Sequence, residues 1–86
     1  MLKIIIKGKV QGVFFRTNIE KIAKELDIRG YTKNIEDGVK VIAQGKPEAL
    51  SKLIEFCKTG PKGAVITDLI ITQEPELDYP DFQIEH

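Results

Sequence analysis

Along these 86 residues the spacing of apolar side chains switches repeatedly between the strand period of two and the helix period of about 3.6, and the order of the switches leaves few folds open. Leu2, Ile4 and Ile6 alternate with Lys3, Ile5 and Lys7, the pattern of a strand with one well-buried face, which Gly8 ends. Between Phe15 and Leu26 the spacing becomes helical, with Ile19, Ile22, Ala23 and Leu26 on one stripe. Thr17 and Glu20 read as a capping box that starts this helix after Thr17. Asp27, which tolerates the left-handed conformation, marks its end, and Gly30 releases the chain. "YTKN" and "VKVIAQG" are two strands joined through "IEDG", where Asp37 and Gly38 form a familiar hairpin-turn pair and Asn34 falls at a strand end. "KPEALSKLIEFCK" is a second amphipathic helix, opened by Pro47 and Glu48 and closed by Gly60 and Pro61. "AVITDLIIT" is a fourth strand. The tail "DYPDFQIEH" could add a short fifth, which Pro80 confines to an edge or a strand start.

The order strand, helix, strand, strand, helix, strand is the α+β, ferredoxin-like split βαβ arrangement, with two helices on one face of an antiparallel sheet. The length suits one domain over residues 1–86, and 42% apolar with 30% charged residues is a folded composition. The single cysteine, Cys57, falls among Leu50, Leu53 and Ile54 at helical spacing and reads as a small buried apolar residue, so packing must hold the fold. The opening apolar run is too short for a signal peptide or a membrane span, which points to a cytoplasmic protein without a membrane partner. Thirteen basic residues balance thirteen acidic ones, against a general nucleic-acid coat. The distribution is uneven, however. Lys3, Lys7, Lys9 and Arg16 precede the first acid, Glu20, whereas Gln73 to His86 carries five acids and no lysine or arginine.

The stretch "GKVQGVFFR", residues 8–16, joins the first strand to the first helix and holds no proline, so every residue from Lys9 to Arg16 keeps a backbone N–H. Gly12 can take positive φ, which lets successive amides turn into one concavity, and the first helical turn adds unpaired N–H groups. Such a nest binds phosphate, and the planar fork of Arg16 suits two phosphate oxygens. Read from residues alone, the same loop is equally a glycine-containing connection with Phe14 and Phe15 packed under the sheet and Arg16 on the surface. It is neither a Walker loop nor a dinucleotide fingerprint. Asn34 likewise reads either as a polar group facing this loop or as a side chain that stabilises the turn beside it.

"GKVQGVFFR" resembles the signature of the acylphosphatase family, and "GYTKNIEDGVKVIAQG" resembles that family's second block, an aromatic residue after glycine ahead of a strand-end asparagine. "KTGP" and the pair Tyr79 and Phe82 extend the likeness over essentially the whole chain, in order and with matching gaps. The resemblance implies a metal-free hydrolase, with no cofactor, that splits the carboxyl-phosphate bond of small acyl phosphates. It implies that Arg16 grips the phosphate, that Gln11, Gly12, Val13, Phe14 and Phe15 form the amide loop for a phosphate or sulfate ion, and that Asn34 positions the attacking water. It also implies a helix that begins nearer Phe15 than Thr17. Members often carry glycine or cysteine at the position of Phe14, glycine at that of Asp27, and proline or a small residue at that of Lys62; none of these departures removes a catalytic group.

The chemistry fits the inventory. A carboxylate leaving group needs no strong general acid, and the only histidine, His86, is terminal and reads as frayed. No cluster of histidine, cysteine and carboxylates has metal-ligand spacing. Two rival readings stand beside this one: a non-catalytic phosphate-binding or regulatory domain of the same ancestry, and an RNA-binding ferredoxin-like module. The second is disfavoured by zero net charge and by the lack of aromatics in "LKIIIK" and "VKVIAQ".

Overall fold

A computed structural model describes residues 1–86. The element order is β1 (Leu2–Lys9), α1 (Phe15–Glu25), β2 (Arg29–Ile35), β3 (Gly38–Gln44), α2 (Pro47–Thr59), β4 (Val65–Gln73) and β5 (Phe82–Glu85). One sheet runs in the order β4-β1-β3-β2-β5. β1 is antiparallel to both β3 and β4, and β2 is antiparallel to β3. The fifth strand forms, but parallel to β2, so the sheet is mixed rather than purely antiparallel. The ferredoxin-like βαββαβ order holds within that correction.

Register puts one apolar set on one face. Ile4 opposes Val41 and Ile71, and Ile6 opposes Val39 and Leu69. Ile4, Ile6, Val39 and Val41 meet Ile19 and Ala23 of α1 and Leu53 and Cys57 of α2 in a core that also takes in Phe15 and Phe82; Leu69 packs against it, while Ile71 stays exposed. Cys57 is fully buried, as its helical spacing requires. The opposite sheet face carries Lys3, Lys7, Lys33 and Lys40 around Ile5 and Ile42, with Lys40 Nζ 5.6 Å from the centre of the Tyr31 ring. No helix is long and apolar enough to cross a membrane.

Three local expectations change. β1 does not stop at Gly8 but runs to Lys9, with a register shift against β4 at Lys7/Gly8; the glycine marks a bulge and a close strand approach, not an end. The β2–β3 turn proper is Glu36–Asp37, neither with positive φ, and Gly38 is already in β3, where a Cβ would collide with the carbonyl of Ile6. Finally, α1 begins at Phe15, three residues before the capping-box reading places it, and has no side-chain cap at all. Burial of Phe15, whose ring meets Phe56 edge-on at 5.6 Å, fixes that start more firmly than a hydroxyl at Thr17 could.

The connection from β4 to β5 is tied to the sheet by Gln44. Its side-chain amide donates to the Leu77 carbonyl (2.7 Å) and its oxygen accepts from the Leu77 N–H (3.1 Å). With that strap in place Phe82 enters the core and β5 lies along β2, with Thr32 opposite Ile84.

Candidate active site

Five residues, Val10 to Phe14, separate β1 from α1. Buried Val10 pins the loop at its entry and buried Phe15 at its exit, while Gln11, Gly12 and Phe14 are exposed between them. φ is positive at Gly12 (76°) and again at Phe14 (58°), the kind of backbone handedness change that gathers consecutive amides on one concave side. A Cβ at Gly12 would meet nothing, so conformation and not space selects the glycine. Phe14 has no such freedom. Its left-handed backbone costs on the order of 1 kcal/mol, and its side chain is 78% exposed.

The amides of this loop have no acceptor in the protein. None of the backbone hydrogen bonds made outside helices and strands is donated by residues 10–14, and the first three helical amides lack a preceding turn to bond to. The first backbone bond of the helix runs from the Asn18 N–H to the Phe14 carbonyl (3.1 Å), which the Asn18 side-chain amide also reaches (2.9 Å). Unlike α2, which has Glu48 in its first turn, α1 has no acid there to offset the positive end of its dipole.

Arg16 is the one lysine or arginine that lines the cleft at this loop. Arg16 is half-buried on the first turn of α1, and its Nη1 makes one long hydrogen bond, 3.4 Å, to the Glu85 carbonyl at the end of β5. The three salt bridges of the molecule, Lys7–Asp37, Lys24–Glu20 and Lys58–Glu55, all leave it out, so its guanidinium is paired with no carboxylate. Asn34 is exposed on the helix-side face of β2, two residues beyond buried Thr32 and opposite Val39, and its side chain makes no hydrogen bond within the protein. Gln11 explains why these groups are neighbours. Its side-chain NH2 donates to the Ile35 carbonyl (2.7 Å) and the Gly38 carbonyl (2.8 Å), clamping the loop to the β2–β3 turn next to Asn34.

A cleft of about 370 Å³ brings Gln11, Gly12, Phe14, Phe15, Arg16 and Asn34 together. Val13 does not join them: its side chain packs against the core on the far side of the loop, near Gly63. The cleft also includes Val10, Thr17, Ile84 and His86, which the motifs do not single out. Ile84 arrives through the parallel pairing of β5 with β2, a long-range register without a local signal. His86 reads from the sequence as frayed; the structure sets it, exposed, at the cleft rim. No group of three or more histidines, cysteines and carboxylates is arranged to hold a metal ion. Cys57 lies outside the cleft, and burial pushes its thiol up to about 12, so it supplies no thiolate near neutral pH.

Fold and loop together define a ferredoxin-like protein with a cleft, lined by Arg16, at the start of its first helix. The family model described as Acylphosphatase matches residues 2–84. An acylphosphatase of Marinobacter nauticus is 36% identical over 85 residues, covering 96% of this chain and 92% of that one. The crystal structure of the Bacillus subtilis acylphosphatase superposes with a TM-score of 0.91 at 34% identity, covering 100% of both chains. Full-length HypF, in a phosphate- and nucleotide-bound form, contains a similar region, with a TM-score of 0.94 at 28% identity over 99% of this chain but 11% of its own. The chain belongs to the acylphosphatase family.

Proposed function

We propose that this protein is an acylphosphatase whose cleft binds the phosphoryl group of a small acyl phosphate and hydrolyses its carboxyl-phosphate bond. One observation carries the assignment of the site: a run of amides without acceptors, at an uncapped helix start, beside an arginine without a carboxylate partner. Hydrogen-bond donors left unpaired by the fold are ready for an anion. In this reading the amides of Gln11 to Phe15 hold the phosphoryl oxygens, and Arg16 leaves its long contact with the Glu85 carbonyl to grip two of them. Val13 takes part through its backbone alone. Phosphate or inorganic sulfate should occupy the same place.

Asn34 positions the attacking water through its side-chain amide, without adding charge. The water oxygen forms the new bond to phosphorus as the bond from phosphorus to the carboxyl oxygen breaks. A dianionic acyl phosphate and water thus give a carboxylate, hydrogenphosphate and one proton. The carboxylate is stable as it leaves, so the site needs positioning and charge stabilisation more than acid catalysis. No metal or cofactor enters the scheme.

The same reading takes residues 1–86 as one acylphosphatase-like domain. It also keeps the cytoplasmic placement, with which a free, buried cysteine is compatible, and the balanced charge is the ground for expecting no nucleic-acid partner. Release of phosphate from acetyl phosphate, assayed with and without a chelator, tests activity and metal independence together. Turnover that survives the chelator is expected; turnover that disappears with it contradicts the metal-free scheme. One alternative is a phosphate-binding domain without its own turnover, which would bind phosphate in the loop yet release none.

A further inference from the structure

Phe14 is the most exposed large apolar side chain in the molecule, at 78%, ahead of Leu77 at 58% and Val65 at 55%. Nothing in the fold accounts for a phenylalanine there. The ring is not in the core, the side chain does not cap α1, and the left-handed backbone would suit glycine better. The ring does, however, border the cleft that holds Arg16 and Asn34. Of the other apolar residues around it, Val10 and Phe15 are each 1% exposed and have almost no surface to offer a ligand, and Ile84 is half-buried. The cleft, about 370 Å³, is within the size range of small-molecule sites and is larger than a phosphoryl group requires.

We propose that Phe14 forms the acyl-side wall of the cleft and selects acyl phosphates whose acyl group presents a flat apolar face, aromatic ones above all, over short acyl groups. This rests on the acylphosphatase reading given above. The phosphoryl group fixes the ligand against the amides and Arg16, and the acyl group then extends toward the cleft mouth. There Phe14 supplies an open ring face or edge, and an aromatic acyl group gains both buried apolar area and a ring–ring contact, neither of which an acetyl group can match. The exposed ring and the strained backbone are thereby explained by one role at the mouth of the site.

The test compares benzoyl phosphate with acetyl phosphate in the wild type, Phe14→Gly and Phe14→Leu. Glycine keeps the amide and relaxes the backbone; leucine keeps apolar bulk without a flat face. The expected result is a ratio of kcat/KM, benzoyl over acetyl, that falls about tenfold in Phe14→Gly (~1.4 kcal/mol) through a higher KM for benzoyl phosphate, with Phe14→Leu in between. Phe14→Gly should melt at or above the wild-type temperature. A ratio that moves less than about twofold in both variants overturns the proposal while leaving the acylphosphatase reading standing. A melting temperature several degrees lower, or an equal loss on both substrates, makes Phe14 a structural residue and overturns it too. If the wild type hydrolyses neither substrate, the underlying reading falls and takes this inference with it.

Discussion

Arg16 and Asn34 differ in what the fold has already done with them. Arg16 sits on the first turn of α1, restrained by a single weak contact, and the role proposed for it draws on fork geometry as well as charge. Replacing it with lysine keeps the charge and loses the planar pair of donors; Arg16→Lys should lower kcat/KM at least 100-fold, ~3 kcal/mol, while circular dichroism and melting temperature stay near those of the wild type. Asn34 is exposed and unbonded, so Asn34→Ala should cost little stability. It should lower turnover with phosphate affinity largely retained. Collapse of phosphate binding in that variant, measured calorimetrically, would move Asn34 from water positioning into the phosphate cradle. Cys57 yields a third residue-scale prediction with a defined sign. Burial raises its folded-state pKa from 9.0 to about 12, so the stability tied to the neutral thiol is complete below pH 9 and is lost as pH rises toward 12. Denaturation midpoints measured from pH 8 to 11 should fall more steeply for the wild type than for Cys57→Ala; parallel slopes would contradict the shift.

At the scale of elements, most of what organises the cleft is bracing from outside it. Gln11 ties the loop to the β2–β3 turn, and Gln44 straps the β4–β5 connection so that β5 can bring Ile84 and the Glu85 carbonyl beside Arg16. Gln44 is buried, and its alanine variant would remove both of its bonds and leave the Leu77 N–H and carbonyl without those partners. Gln44→Ala should therefore destabilise the fold by about 2 kcal/mol, read as a lower melting temperature, with a smaller loss of activity. Full retention of stability would show that water replaces the strap. These braces explain what the sequence could not disclose. The strand and helix periods were legible because each is a local repeat. A glutamine that reaches carbonyls 24 and 27 residues away leaves no such trace, nor does the parallel register that makes the sheet mixed. The start of α1 was misplaced for a related reason: Thr17 and Glu20 have the right spacing for a capping box, yet burial of Phe15 decides where the helix begins.

For the whole molecule, the arrangement separates stability from the site. The core lies between the helices and one sheet face, while the cleft sits at the end of the sheet where α1 starts, with loop amides left unpaired and a phenylalanine left in solvent. A fold this small can keep such costs because they are confined to five residues pinned at both ends by Val10 and Phe15. The site was legible as a loop motif and a strand-end asparagine, but their meeting depends on the crossover that places β3 and β2 beyond β1 in the sheet, and only the three-dimensional structure brings them into one cleft. In the proposed function, unpaired amides and one unpaired guanidinium form a ready anion site. A crystal structure with bound orthophosphate tests it most directly. The anion should lie within hydrogen-bonding distance of the amides of Gln11 to Phe15 and of the Arg16 guanidinium, with the Asn34 side chain facing it. A loop without the anion at saturating phosphate, and Arg16 still resting on the Glu85 carbonyl, would contradict it.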